Sequence, residues 1–165
     1  MKNIVQHMSI YTSHHQKLIT KVTHFIGIPA IILAIQIVLD WLHVPFLHSG
    51  HITVAWIAVS ILLIYYAFLD VYLSLAAVLF LVPLTYAGHI LGKGHFNSGS
   101  LLLFLILFIL GWVLQLVGHY FEGKRPAFLH NAFQLLIAPI FLTAELLFAL
   151  GLRKELQRKI DSAIR

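Results

Sequence analysis

The sequence predicts an all-α fold, a polytopic integral membrane helical bundle, on three observations. Of 165 residues, 60% are hydrophobic and only 10% charged. An ordinary soluble domain carries roughly 25% charged residues, because its surface has to face water. The apolar residues fall in runs of the length needed to cross about 30 Å of hydrocarbon. The ionisable residues, 11 histidines among them, gather mainly between those runs, beside turn-forming glycine and proline.

The elements follow in order. Residues 1–22 form a polar segment containing His7 and the pair His14–His15, with none of the pattern of a cleavable signal peptide. The spans occupy 23–152. The first runs from Phe25 to Leu42 and the second from Ile52 to Leu69. After Asp70 comes a third, Val71 to Leu91, and then a fourth, Leu101 to Phe121, with no charge before Glu122. A fifth apolar stretch, Ala132 to Leu152, contains Pro139 and Glu145. Residues 153–165 are a basic amphipathic tail with Glu155 and Asp161 among its cations. No internal repeat divides the chain, so 1–165 reads as a single membrane-embedded domain.

Charge sets the sidedness, because Lys and Arg near span ends stay cytoplasmic. Four crossings return the chain to its starting side at Glu122, where Lys124 and Arg125 join Lys2, Lys17 and Lys21. Only Lys93 falls on the far side. A full fifth crossing would put the basic tail there too. The charge rule therefore favours four full spans plus a fifth segment broken at Pro139 into a re-entrant or interfacial hairpin, with both termini cytoplasmic. The net charge of +5 reports this topology and anionic lipid rather than nucleic acid. With no cysteine, disulfides and thiolate metal sites are excluded.

Topology also sorts the histidines. His24 opens the first span and His119 closes the fourth, so the two can meet on the cytoplasmic side. His119 and Glu122 are three apart and share a helix face. Imidazoles with a carboxylate suit iron, zinc or copper, and the absence of thiolate leans towards redox iron or catalytic zinc. Intramembrane ionisable groups are costly, so Glu122 and Glu145 need a partner or a function. Gln115 lies one turn before His119. Other positions have plainer readings. His43, His48 and His51 read as an interfacial loop, and His95 and His130 as solvated. Asp40 and Asp70 read as water-accessible at span ends. Trp41, Tyr65, Tyr66, Trp112 and Tyr120 read as an aromatic belt.

Three ordered segments carry a family resemblance. They are Tyr11-Thr-Ser-His14-His15 with His24-Phe-Ile-Gly27-Ile-Pro29, then Gln115-Leu-Val-Gly118-His119-Tyr-Phe-Glu122-Gly-Lys-Arg125-Pro126-Ala127, and Gln134-Leu-Leu-Ile-Ala-Pro139-Ile-Phe141 with Glu145. Together they resemble the membrane-embedded 2-hydroxy fatty acid dioxygenases of fatty-acid α-oxidation, typified by the fungal enzyme of phytosphingosine breakdown. The two middle spans resemble that family in hydrophobicity alone.

The resemblance implies an iron(II) enzyme that shortens a 2-hydroxy fatty acid by one carbon with O2, in a bacterial inner membrane or the endoplasmic reticulum. It implies His15, His24, His119 and Glu122 as metal-binding and catalytic residues. His14, Glu145, Gln115 and Asn131 are further candidates for ligation or its support, and Lys124 and Arg125 for attracting the anionic head group. Thr20 stands where the family usually has asparagine, and His130-Asn131 where Asp-Asn is common. Zn2+ is the alternative metal, in a membrane lipid hydrolase that activates water. Outside enzymes, a proton-coupled transporter or lipid-binding membrane protein stays open.

Overall fold

The computed structural model describes residues 3–43, 53–129 and 131–164. Its helices are α1 (Ile4–Ser13), α2 (Leu18–Asp40), α3 (Val54–Leu69), α4 (Val71–Gly92), α5 (Ser98–Glu122), α6 (Gln134–Ala149) and α7 (Lys154–Ile164), with a 3-10 turn at Ala127–Leu129 between α5 and α6. Three of them, α2, α4 and α5, are long and apolar enough to cross a membrane. The apolar α3 has 16 residues, about 24 Å of helix. The lipid-facing character is plain on α5, where Leu102, Ile106, Ile109, Leu110, Val113 and Leu116 are all exposed. Contiguous apolar surface of that extent marks a membrane or a partner, not water.

Close approach of α2 and α5 organises the bundle. A Cβ at Gly118 would fall 2.3 Å from Thr23 Oγ1, and one at Gly111 2.6 Å from Ile31 Cγ1. Such small residues let helices touch backbone to backbone where lipid supplies no hydrophobic drive. The pairs run in opposite order, 23 with 118 and 31 with 111, so α2 and α5 are antiparallel. On the other face of α2, Gly88 and Gly92 of α4 lie against Gln36 and Asp40, so α2 and α4 are parallel. The start of α2, the α3–α4 turn and the end of α5 therefore share one end of the bundle, here the first end. Asp40, His89 and Asn97 share the other.

Caps fix the helix ends. Asn97 accepts from Ser100 N–H at the start of α5. Asp70 accepts from Leu73 N–H at the start of α4 and its second oxygen pairs with Arg153. Asp70 is thus engaged twice rather than merely solvated.

Several elements differ from the sequence expectation. The polar N-terminal segment contains α1, opened by a capping box between Asn3 and Gln6. Its Ile4, Met8 and Tyr11 are buried, and α1 packs on α6 and on α7, whose Leu156 and Ile160 are the buried pair of the tail. The first span begins at Leu18 rather than Phe25, because Thr20, Thr23 and His24 turn inward and are buried. The break in the fifth stretch is not at Pro139, which lies inside a continuous α6. The chain bends by 115° between α6 and α7, where Gly151 and Arg153 adopt φ of 74° and 56°. Tyr66 and Trp112 leave the aromatic belt. Tyr66 is fully buried and donates to the Leu136 carbonyl, while Trp112 lines an internal cavity. The readings for His48, His51 and His130 lie outside the described residues.

A candidate metal centre of three histidines

At the first end of the bundle, His15, His24 and His119 come together from the α1–α2 connector, α2 and α5. Each offers a ring nitrogen, and these atoms lie within 4.8 Å of one another. Ring centroids stand 4.4 Å apart for His15–His24 and 4.9 Å for each ring against His119. The interplanar angles are 70–82°, so the rings meet edge-on around a common point rather than stacking.

His15 is held most firmly. It stacks on Tyr11 at 4.1 Å with planes 7° apart, and its Nδ1–H donates to the Tyr11 carbonyl at 2.6 Å. A carbonyl can only accept, so the proton sits on Nδ1 and the Nε2 lone pair is free to ligate. Burial, helped by the neighbouring His24, lowers the His15 pKa to about 2. The ring is therefore neutral at physiological pH, the form a metal requires.

His119 follows from Gly118, whose missing Cβ lets α5 close on His24 itself; a Cβ there would lie 3.1 Å from His24 Nδ1. Among the described residues, neither His15 Nε2 nor His119 Nδ1 has a hydrogen-bond partner, although both are buried. Orphaned buried nitrogens are costly and rare. Three imidazoles from three segments, two with an unpartnered ring nitrogen, fit a divalent metal of the borderline class.

Glu122 lies beside this cluster but engages the start of α2. Its Oε1 accepts from Gln16 N–H and its Oε2 from Lys17 N–H, each at 3.0 Å. The Thr20 hydroxyl lies 2.7 Å from Oε2 and 3.1 Å from the Gly118 carbonyl. The carboxylate thus takes up the N–H of the N-cap Lys17 and of Gln16 before it, at the positive end of α2. That anchors the connector bearing His15 to the helix bearing His119. Thr20 thus supplies a buried polar contact between α2 and α5.

The remaining candidates are placed as follows. His14 Nδ1–H donates to the Ile10 carbonyl at 2.9 Å. Glu145 pairs with Lys21 at 2.6 Å. Asn131 Oδ1 accepts from Phe133 N–H. Lys124 donates to the Ser13 carbonyl at 2.7 Å, tying the end of α5 to the end of α1, while Arg125 is exposed. Gln115 is buried and its Nε2 has no partner among the described residues.

The histidines form one end of a cavity of about 300 Å³ between α2, α5 and α6. Away from them its wall is apolar, with Ile28, Ile31, Ile32 and Ile35 from α2 and Phe108 and Trp112 from α5. Among the described residues, no Lys, Arg, Asp or Glu lines it. Gln134 and Phe128 also line it, and neither was singled out as a site residue from the sequence. For Gln134 a signal existed, since it is a lone amide at the head of an apolar run.

The structure thus sets a metal-competent cluster at one end of an apolar cavity, in a chain with three helices long and apolar enough to cross a membrane. Residues 1–150 match the family described as 2-hydroxy-palmitic acid dioxygenase Mpo1-like, and the chain belongs to that family. It is similar to the 2-hydroxy-palmitic acid dioxygenase MPO1 of Saccharomyces cerevisiae, with 44% identity over 57 residues. That alignment spans 33% of each chain, so the similarity reaches about a third of the curated relative's length. No solved structure matches significantly.

Proposed function

We propose that this protein is an iron(II)-dependent dioxygenase that cleaves the C1–C2 bond of 2-hydroxy fatty acids, releasing CO2 and an acid one carbon shorter. The observation that carries the reading is the three-histidine cluster at one end of an apolar cavity, in a chain of this family. One 2-hydroxy acid and one O2 give one shortened acid, one CO2 and one water, so no further reductant is needed.

His15, His24 and His119 would hold the metal. Ferrous iron bound there would supply the site at which dioxygen reacts beside the 2-hydroxy acid. Glu122 and Thr20 keep the three imidazoles in register through the start of α2. Tyr11 fixes the His15 tautomer, as partners beyond the ligands commonly do. The isoleucines of α2 take the acyl chain and exclude water from the reacting end. Arg125, exposed beside the site, is suited to attract an anionic head group from the cytoplasmic side.

The proposal includes four crossings by α2 to α5, with the segment after α5 re-entrant. Phe128 packs on Trp112 at 5.2 Å between centroids. Trp112 lies seven residues before His119, about 10 Å further along α5. Glu145 and Arg153 then meet Lys21 and Asp70 at the first end. That pattern supports a chain that dips in and returns, with both termini on the cytoplasmic side. The endoplasmic reticulum, or the inner membrane of a bacterium, is the matching location.

Three imidazoles are also a ligand set that catalytic zinc takes, so a zinc-dependent lipid hydrolase is the second reading. The test is purification without oxygen, loading with iron(II) or zinc, and addition of 2-hydroxypalmitate with oxygen. Oxygen uptake with a product one carbon shorter supports the dioxygenase. Release of a fatty acid from an acyl ester by the zinc-loaded protein, with no oxygen uptake on 2-hydroxypalmitate by the iron-loaded one, supports hydrolysis and overturns it.

A further inference from the structure

We propose that Gln134 and Gln115 form a polar clamp for the substrate head group, and that Gln134 determines the preference for 2-hydroxylated over plain acyl chains. This rests on the dioxygenase reading and adds a recognition element to it.

Gln134 is 2% exposed and Gln115 6%. Among the described residues, neither amide atom of Gln134 has a hydrogen-bond partner, and Gln115 Nε2 has none. Leaving a buried amide group unpaired is costly, so three such atoms on one cavity need an explanation. Both side chains line the cavity that the three histidines close. They come from different walls. Gln115 sits one turn before His119 on α5 and so shares its face. Gln134 opens α6, its backbone N–H held by the Asn131 carbonyl at 2.9 Å, with Ala138 one turn on lining the same cavity.

The chemistry of the two amides complements a 2-hydroxy acid. A primary amide presents two N–H donors and one carbonyl acceptor. A carboxylate accepts only, whereas a hydroxyl can also donate. With both its atoms unpartnered, Gln134 can donate to the carboxylate through Nε2 and accept the 2-hydroxyl proton at Oε1. Gln115 supplies a second donor to the carboxylate. A plain fatty acid satisfies the donors but leaves Gln134 Oε1 buried and unpaired, and a site built to hydrogen-bond a hydroxyl rejects the analogue lacking it. Neutral donors suit a cavity whose lining, among the described residues, holds no Lys, Arg, Asp or Glu.

The test is equilibrium binding without oxygen, on detergent-solubilised iron-loaded protein, of 2-hydroxypalmitate and of palmitate. Wild type is expected to prefer the hydroxy acid by about tenfold or more, the order of one buried hydrogen bond. Gln134→Leu is expected to bring the two affinities within about twofold, with iron content unchanged. Gln115→Leu is expected to weaken both acids alike and leave the preference intact. Should Gln134→Leu lose iron or fold poorly, Gln134→Asn keeps an amide but withdraws it by one methylene, and is expected to lose most of the preference. A preference that survives in the folded Gln134 variant overturns the clamp alone. Wild type binding both acids equally also overturns the clamp. Wild type binding neither acid overturns the dioxygenase reading with it.

Discussion

Both ends of the bundle bring histidine close to an acid, and they resolve that juxtaposition in opposite ways. At the second end, Asp40 is fully buried, pairs with His89 Nδ1 at 2.8 Å and accepts from Gly94 N–H at 2.9 Å. Its charge is answered on both oxygens, and the cluster staples α2 to the end of α4. At the first end, the acid Glu122 turns to the start of α2, leaving the imidazoles facing one another with unpartnered nitrogens. Residue types alone would have ranked the two alike. What separates the staple from the site is whether the acid closes on the imidazole beside it, as Asp40 does and Glu122 does not.

The largest expected effect breaks the comparison at its centre. His24→Ala should lower oxygen-dependent turnover of 2-hydroxypalmitate by more than about a hundredfold, beyond the loss usual for residues that only support a ligand. His89→Ala should leave turnover within about twofold of wild type when folded protein is matched. Oxygen-electrode rates on the two variants make the check.

Next come the glycines on which each end closes. Gly118→Ala places a methyl 2.3 Å from Thr23 Oγ1 and 3.1 Å from His24 Nδ1. It should weaken metal binding by about tenfold or more, since it shifts the helices that carry His24 and His119. Gly88→Ala, whose methyl would meet Gln36 Cβ at 2.6 Å, should cost about 1–3 kcal/mol of stability through overpacking. Its metal affinity should stay at the wild-type value. Metal titration beside thermal unfolding in detergent separates the two.

Asp40→Ala sharpens the comparison from the other side. Removing the carboxylate leaves Gly94 N–H and His89 without it, and should cost about 2 kcal/mol; the figure is modest because His89 is partly exposed and water replaces some of the loss. Unfolding midpoints should fall while iron stoichiometry does not change.

The smallest effect lies along the cavity. Ile35 is 11 residues beyond His24 on α2, about 16 Å along the helix, and lines the cavity wall. Ile35→Trp should lower turnover of long chains about tenfold relative to a substrate about four carbons shorter. Competition between the two substrates measures the ratio.

Much of this was legible in the sequence, for reasons that also explain what was not. The runs behind α2, α4 and α5 declare themselves by apolar length, and the antiparallel packing of α2 on α5 brings His24 to His119. His15 came from the resemblance alone, because nothing local shows that the connector folds back onto α5. Helix α1 was missed although Ile4, Met8 and Tyr11 repeat at helical spacing, since its partner α7 lies at the far end of the chain. Glu122 has its carboxylate on the start of α2 rather than on the three imidazoles. The i, i+3 relation to His119 is real, but the side chain is long enough to reach another helix. Asp40 was set aside as water-accessible, and only the close approach of Gly92 on α4 encloses it. Pro139 was taken for a break, yet Gly151 provides the bend because its positive φ is free of strain.

The most direct test is metal stoichiometry on protein purified without oxygen and reconstituted with iron(II). It compares wild type, single alanine variants of His15, His24 and His119, and Glu122→Gln. The expected result is close to one iron per wild-type chain, loss in each histidine variant, and retention in Glu122→Gln. Wild type that holds no metal after reconstitution, or histidine variants that hold as much as wild type, would contradict a metal centre built from these three imidazoles.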